Sequence, residues 1–356
     1  MKLVIFIHAG RAGYGITDGT IVRPASDGFC ETYPDLRAVL AADALDALDS
    51  AVGPPIALGQ VELLPPVPNP AKIVCVGLNY RKPYPVGGVA PPDPENIILF
   101  GKERQAIVGH GSALEIPPKG PDQSFDYEAE IAIVIGRQGR CIPPDQAMDH
   151  VAGFTAFNDG SVRDWQKHSI HAGKNFEKSG SCGPWMVTAD EIVAPDDMTL
   201  IARLNGDVVQ HAKASEMIYT MAEQISYISQ VTTLLPGDII ATGSPDGTGG
   251  SRSPKRYLRK GDLLEISVSG VGTLANTVGR RRSIRISRAL SCNPSGSMSR
   301  LTNYDGQHWP SSRVAGAAMM RQSRSPNTSL TRTAAAWNPT ASSGCCNTRG
   351  SMRTAS

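Results

Sequence analysis

Short apolar runs separated by glycine and proline make up most of the chain and limit the folds open to it. Runs such as "KIVCVGLNY", "NIILF" and "GDIIATG" have the length of single strands and are bounded by turn-forming residues. Beyond residue 65, only residues 214–234 show a clear helical period, with Met217, Met221, Ile225 and Ile228 on one face. Strands and helices do not alternate regularly, and no glycine-rich nucleotide loop links a strand to a helix. The pattern therefore predicts a β-rich α+β fold rather than a doubly wound sheet.

The N-terminal residues 1–64 are predicted to form a small α+β domain. "KLVIFI" and "GTIVRPA" indicate strands around the turn-rich "HAGRAGYGITDG", and residues 35–52 have a helical pattern behind Asp35 as the capping residue. The proline-rich "LLPPVPNPAK" at residues 63–72 forbids a continuous helix or central strand. We therefore place a domain boundary there, with a larger domain at residues 65–279.

The last 77 residues, 280–356, differ sharply from the rest in composition. They hold 12 arginines, no lysine and one acid, Asp305, whereas residues 1–279 hold 23 basic and 32 acidic residues. With 15 serines and only six Ile, Leu, Val or Phe, this tail is predicted to be disordered. Its dispersed arginines argue against a nucleic-acid partner. A shifted reading frame or a wrongly predicted exon is our hypothesis for its origin.

Cysteine usage and hydropathy indicate a cytoplasmic protein. The apolar run "LVIFI" near the N-terminus is too short for a signal-peptide core or a membrane span, and no later run reaches spanning length. The seven cysteines form no C-x-x-C pair. We therefore expect reduced thiols, no structural zinc and no membrane partner.

The stretch "SFDYEAEIAIVIG", residues 124–136, carries an unusual row of acids. In an extended chain Asp126, Glu128 and Glu130 share one face while the large apolar residues occupy the other. Carboxylates two residues apart repel one another, so this face needs water, a cation or a partner. A half-solvated strand is one alternative. If Asp159, at the end of the strand "VAGFTAFND", joins Glu128 and Glu130, three oxygen ligands would suit Mg²⁺, Mn²⁺ or Ca²⁺ better than zinc.

Several motifs occur in the order typical of one family. They are "LLPPVPNPAKIVCVGLNY", "DYEAEIAIVIG", "FNDGSVRDWQ", "GKNFE", "GPWMVTADEI", "RLNGDVVQ", "LLPGDIIATGSPDGTG" and "GDLLEISVSGVGTLANTV". Together they resemble the fumarylacetoacetate hydrolase family over residues 60–279, and the N-terminal region resembles the small domain of many members. The resemblance implies a mixed β-sandwich roll as the C-terminal domain and a homodimer.

The resemblance also implies a catalytic site for 2-oxo acids and diketo acids. Such enzymes cleave C–C bonds by hydrolysis, decarboxylate, or interconvert keto and enol forms through an enolate that a divalent ion stabilises, often in aromatic catabolism. Lys174 matches the lysine near the metal, and Arg163 and Gln166 match positions that orient the substrate; taken alone, each could be an ordinary surface residue. The implied metal ligands are Glu128, Glu130 and Asp159, usually for Mg²⁺ or Mn²⁺ with Ca²⁺ as an alternative, and the implied substrate-binding residues are Asn79, Tyr80, Thr242, Gly243 and Ser244.

One family motif is missing from this sequence. Hydrolytic members carry N-Y-x-x-H-x-x-E on a lid helix, where the histidine and glutamate activate water. Here Pro83 stands at the histidine position and Val86 at the glutamate position, and Pro83 and Pro85 disfavour a helix. Three interpretations stay open, in this order: a metal-dependent 2-oxo acid enzyme, a catalytically weakened member acting as a binding or scaffold protein, and a nucleic-acid-associated protein.

Overall fold

The computed structural model describes residues 1–81 and 92–279, which are built mainly from strands. Every helix in this part of the chain is too short or too polar to cross a membrane. The strands are β1 Lys2–His8, β2 Arg11–Thr17, β3 Ile21–Pro24, β4 Ile56–Ala57, β5 Glu62–Leu64, β6 Ile73–Gly77, β7 Ile98–Gly101, β8 Ile107–Val108, β9 Leu114–Glu115, β10 Phe125–Asp126, β11 Ala129–Ile135, β12 Val151–Asn158, β13 Ser161–Val162, β14 Gly180–Thr188, β15 Thr199–Leu204, β16 Asp207–Lys213, β17 Ile239–Ala241, β18 Leu263–Val268 and β19 Gly272–Gly279. The α-helices are α1 Asp27–Thr32, α2 Leu36–Ala41, α3 Leu45–Ser50, α4 Arg163–Gln166, α5 Ile170–Lys174 and α6 Met221–Val231.

Two mixed sheets dominate the fold. The larger, with 12 strands, has the order β4-β3-β2-β1-β14-β12-β11-β17-β6-β7, with β5 beside β1 and β8 beside β14. The smaller, with five strands, has the order β16-β15-β18-β19-β9, and β10 pairs separately with β13. Most neighbours are antiparallel, while β17–β6, β14–β8 and β19–β9 are parallel. The predicted β-rich α+β class is confirmed.

The central strand β11 is buried on both faces. Ile131, Ile133 and Ile135 belong to a core shared with the smaller sheet and α6, whereas Ala132 and Val134 belong to a second core with α1–α3. The predicted alternation is therefore confirmed. The half-solvated alternative is wrong, because all seven residues of β11 are buried.

The N-terminal region departs from two local predictions. The segment predicted as turn-rich contains the strand β2, which pairs along its length with β1. Asp35 does cap a helix, accepting a hydrogen bond from Ala38 N–H at 2.8 Å. That helix ends at residue 41, because Asp43 adopts a left-handed backbone (φ 52°), and a second helix, α3, follows. β1 also pairs with β14 of the larger domain, and the boundary at residues 64/65 stays a prediction.

The helix predicted over residues 214–234 is shorter than expected. A capping box fixes its start: Thr220 Oγ1 accepts from Glu223 N–H, and the Glu223 carboxylate accepts from Thr220 N–H at 2.7 Å. Residues 214–216 form a separate 3-10 turn. The side chains predicted to share one face, Met217, Met221, Ile225 and Ile228, all lie in the core.

Some sequence predictions fall outside the described residues. The positions of the missing histidine and glutamate, Pro83 and Val86, lie in residues 82–91 together with Pro85, and the basic tail is residues 280–356. The predictions about the lid helix and the tail stay predictions.

Candidate active site

Three carboxylates converge where β11 begins and β12 ends. Antiparallel pairing sets Ala129 opposite Asn158. Glu128 and Asp159 stand one position beyond that pair, and the Asp159 N–H donates to the Glu128 carbonyl at 2.8 Å. One carboxylate oxygen from each of Glu128, Glu130 and Asp159 lies within 4.8 Å of the others. Convergent carboxylate oxygens fit a hard divalent cation such as Mg²⁺ or Mn²⁺.

Two buried lysines contact this carboxylate cluster. Lys174, at the end of α5, donates from Nζ to a Glu128 oxygen and, at 2.5 Å, to Asp159 Oδ2. Lys102, just after β7, donates to Asp159 Oδ1 at 2.7 Å and to the Gly160 carbonyl at 2.8 Å. Each carboxylate except Glu130 is thus paired with a cation.

Burial and neighbouring charges set the protonation of these groups in opposite directions. Burial raises the pKa of Glu128, but the positive charges of Arg163 and Lys174 outweigh it and lower that pKa to about 2. Burial and the negative charges of Asp159 and Glu128 raise the pKa of Glu130 well above its usual range. Burial opposes ionisation of Lys174, yet Asp159 and Glu128 raise its pKa overall. Glu130 is therefore the carboxyl group of the cluster whose ionised form a further positive charge would stabilise most.

Asp126, the remaining acid of the strand, anchors Arg163 and a neighbouring loop. Its carboxylate accepts from Gly249 N–H at 2.7 Å, Gly250 N–H at 2.8 Å and Arg163 Nε at 2.7 Å. Arg163 then donates from Nη1 to Glu128 and, at 3.3 Å, to Gln166 Oε1. Asp126 thus positions Arg163 beside Glu128, which accounts for an acid on this strand that is not part of the carboxylate cluster.

The residues predicted to bind substrate divide into two groups. Tyr80 and Ser244 line a cavity beside the carboxylates, as do Gln166, Arg163 and Lys174. Asn79, Thr242 and Gly243 stand behind it.

These three residues link the loop to the strands. Asn79 Nδ2 donates to the Thr242 carbonyl at 2.8 Å, Thr242 Oγ1 donates to the Ile131 carbonyl at 2.9 Å, and Gly243 N–H donates to Glu130 Oε2 at 2.9 Å. Gly243 can approach so closely because its backbone is left-handed (φ 102°), and a Cβ there would lie 2.6 Å from the Asn79 Cβ. Asn79, Thr242 and Gly243 thus hold Glu130 and the loop in place.

The cavity has a volume of about 300 Å³ and a mixed lining. Its polar lining residues are Glu128, Glu130, Arg163, Gln166 and Lys174, together with Ser244, Asp246 and Thr248 from the loop after β17. Its apolar lining residues include Val76, Leu78, Ile98, Phe100 and Ile170. Such a site suits a small molecule with one anionic, oxygen-rich end.

Sequence reasoning missed Lys102 and Asp246. Lys102 follows an apolar strand in "ILFGK", and nothing in the local pattern separates a buried lysine there from a solvated one. Asp246 sits in "SPDGTG", where an acid before glycine normally indicates only a turn. The ion pair of Lys102 and the place of Asp246 in the cavity lining both depend on parts of the chain that are far apart in the sequence.

Comparison with known proteins identifies the family of this chain. The family model "Fumarylacetoacetate (FAA) hydrolase C-terminal" matches residues 72–279. The chain is 39% identical over 229 residues to the mitochondrial oxaloacetate tautomerase FAHD2A of Bos taurus, covering 63% of this chain and 72% of that protein. It is 38% identical over 225 residues to the oxaloacetate tautomerase YisK of Bacillus subtilis (strain 168), covering 62% and 74%.

A solved structure, maleylpyruvate hydrolase from Sphingobium sp. SYK-6 in complex with manganese(II) ion and pyruvate, is similar at a TM-score of 0.64 and 27% identity, covering 79% of this chain and 99% of that one. The family model alone spans more than half of the 356 residues. The chain belongs to the fumarylacetoacetate hydrolase family.

Proposed function

We propose that the protein is a divalent-metal-dependent tautomerase that interconverts the keto and enol forms of a small 2-oxo acid, with oxaloacetate as the first substrate to test. The observation that carries this is the convergence of Glu128, Glu130 and Asp159 beside Lys174 at one cavity. The names of two relatives, both oxaloacetate tautomerases, support the choice of reaction. The manganese and pyruvate in the related hydrolase support a divalent ion and a 2-oxo acid.

The residues of the cavity have complementary tasks in this reaction. Glu128, Glu130 and Asp159 would hold Mg²⁺ or Mn²⁺, which when bound supplies a Lewis acid for the negative charge that develops on a substrate oxygen. Lys174 adds a fixed positive charge at the same place, and such preorganised charge favours the transition state over the ground state. Arg163 Nη2 is buried and has no hydrogen-bond partner among residues 1–81 and 92–279, so it is available to a substrate carboxylate.

Tautomerisation suits this chain better than hydrolysis. Hydrolysis needs a base that activates water, and the sequence has Pro83 and Val86 where hydrolytic relatives carry histidine and glutamate. Among the described residues, no histidine lines the cavity. Tautomerisation only moves protons between carbon and oxygen, so it can proceed without an activated water.

The test uses the full chain stripped of metal by a chelator and then reloaded with Mg²⁺ or Mn²⁺. Decay of enol-oxaloacetate is followed by ultraviolet absorbance, and Mn²⁺ binding is measured by calorimetry. Glu128→Ala should lower both the turnover and the Mn²⁺ affinity by at least about 100-fold, because the site loses a carboxylate ligand. Glu31→Ala, a substitution of an exposed glutamate on α1, should change neither.

Three outcomes would overturn this assignment. Undiminished turnover in Glu128→Ala would remove the metal site from the mechanism. Release of pyruvate from an acylpyruvate as fast as the tautomerisation would make the protein a hydrolase. Tight Mn²⁺ binding without turnover of either substrate would instead favour the weakened family member that acts as a binding or scaffold protein.

Other properties are proposed on the family resemblance and the sequence. We propose a cytoplasmic homodimer with domains at residues 1–64 and 65–279, acting in the breakdown of aromatic compounds. Light scattering and cell fractionation test the assembly and the location. Tail removal tests whether residues 280–356 contribute to either.

A further inference from the structure

The loop after β17 holds one acidic residue in a rigid frame beside the cavity. Gln210 Nε2 donates to Ser244 Oγ at 2.9 Å and to the Pro245 carbonyl at 2.7 Å. The Gly247 carbonyl accepts from the Tyr127 hydroxyl at 3.1 Å. These bonds fix the residues on both sides of Asp246, so its backbone position is set by core elements.

The Asp246 carboxylate has no partner among the described residues. Within residues 1–81 and 92–279 it makes no hydrogen bond or ion pair, although it is partly buried and lines the same cavity as Glu128, Glu130 and Lys174. An aspartate that serves a turn normally accepts from a backbone N–H nearby. Since no such bond is made within the described residues, the turn does not explain the acid.

The other acids of the cavity are already committed. Glu128 is bound by Arg163 and Lys174. Glu130 accepts from a backbone N–H, and both belong to the carboxylate cluster that suits a cation. A proton-transfer group needs a free oxygen at the cavity, and among the described acids that line it only Asp246 has no hydrogen-bond or ion-pair partner.

We propose that Asp246 is the general base and acid that moves the proton at C3 of the 2-oxo acid, a role that rests on the proposed tautomerase function. In the keto-to-enol direction Asp246 takes a proton from C3, and the C3–H bonding pair becomes the C2=C3 double bond. The C2=O π pair moves onto the oxygen, which takes a proton from water. Asp246 then gives its proton to the hydroxide that is left, which regenerates the water and the carboxylate, so the protein is unchanged and no oxidant or reductant is needed.

Asp246→Ala in the full chain, assayed with Mn²⁺ and enol-oxaloacetate, tests this role. We expect kcat to fall at least about 100-fold with KM within about threefold of wild type, since general acid–base catalysis contributes on that scale. Formate or acetate in the buffer should restore part of kcat by replacing the missing carboxylate. Mn²⁺ affinity by calorimetry and inhibition by oxalate should be unchanged. Asp145→Ala, an exposed aspartate in the 3-10 turn Pro144–His150, is the matched control and should behave as wild type.

The possible outcomes separate this inference from the proposed function. Wild-type activity that persists within threefold in Asp246→Ala overturns the inference alone. Loss of Mn²⁺ or oxalate binding in that variant, or failure of formate and acetate to restore any activity, also overturns it, because the role would then be structural. A wild-type protein that does not tautomerise oxaloacetate with any divalent ion overturns the proposed function, and the inference with it.

Discussion

The substitution Lys102→Met removes one buried cation beside the carboxylate cluster and leaves its three acids, Glu128, Glu130 and Asp159, unchanged. The Lys102 side chain is 0% exposed, with Nζ 2.7 Å from Asp159 Oδ1 and 2.8 Å from the Gly160 carbonyl. Methionine fills a similar volume without charge or donor. The expected effect is therefore electrostatic rather than the result of a cavity.

The magnitude follows from the contacts that are lost. Removing one partner of a buried ion pair costs about 3–5 kcal/mol, and the lower end applies because Asp159 keeps Lys174 as a partner. The Gly160 carbonyl loses its donor, which adds about 1 kcal/mol. The free energy of unfolding of the metal-free protein should fall by about 4 kcal/mol. Mn²⁺ at a hundred times its Kd for the variant should raise the variant's free energy of unfolding by about 2.7 kcal/mol, because an ion that binds only the folded state stabilises it by mass action.

Urea unfolding with a chelator, and again with Mn²⁺, measures both effects. Lys178→Met is the matched control, because Lys178 forms a similar ion pair with Glu115 but is 47% exposed. Such a surface pair should contribute less than about 1 kcal/mol. If Lys102→Met costs no more than Lys178→Met, the buried network does not stabilise the fold and the reasoning fails.

Two further substitutions probe strain and pH dependence. Gly243→Ala should lower the free energy of unfolding in urea by about 3 kcal/mol, because φ is 102° and the new Cβ would lie 2.6 Å from the Asn79 Cβ. Gly261→Ala is the control, because φ is 93° but its new Cβ would have none of the described residues' other atoms within 4 Å. It should lower that free energy clearly less, and equal decreases would refute the clash. Burial lowers the pKa of His110, and its Nδ1 accepts a hydrogen bond from Ala275 N–H at 3.1 Å. The unfolded chain therefore protonates this imidazole more readily than the folded protein does. The free energy of unfolding should consequently fall as pH decreases through about 6.5. Thermal unfolding of His110→Asn, which keeps an acceptor but does not titrate, should show a weaker fall; identical pH curves would contradict this.

The sequence could predict the strands but not the surroundings of their side chains. Alternation along residues 129–135 correctly separated the two faces of β11, because the period of a strand is a local property. It could not show that both faces are covered, since the smaller sheet and α1–α3 come from distant parts of the chain. The burial of Asp126 and Glu130 was for that reason unexpected.

Local caps decided where the predicted helices began and ended. Asp35 was recognised from its position, whereas the left-handed Asp43 has no clear sequence signal and divides the helix that the pattern predicted as continuous. The strand β2 was missed because "RAGYGIT" contains two glycines, which normally indicate a turn. Pairing with β1 overrides that preference.

The candidate site could be located but not completed from the sequence. The ordered family motifs led to Glu128, Glu130, Asp159 and Lys174, which the fold brings together. Lys102 and Asp246 carried no local signal, because the ion pair of Lys102 and the place of Asp246 at the cavity arise only when distant segments come together in the fold.

The charges around the carboxylate cluster do not balance. The cluster and the adjacent Asp126 hold four carboxyl groups beside three cations, Lys102, Arg163 and Lys174, so ionisation of all four leaves one net negative charge. That charge would repel an anionic substrate, whereas a divalent ion bound there would reverse the sign and attract it. With the proposed metal, the affinities for the ion and for the anionic substrate should therefore be linked, so that each ligand strengthens the binding of the other by the same factor.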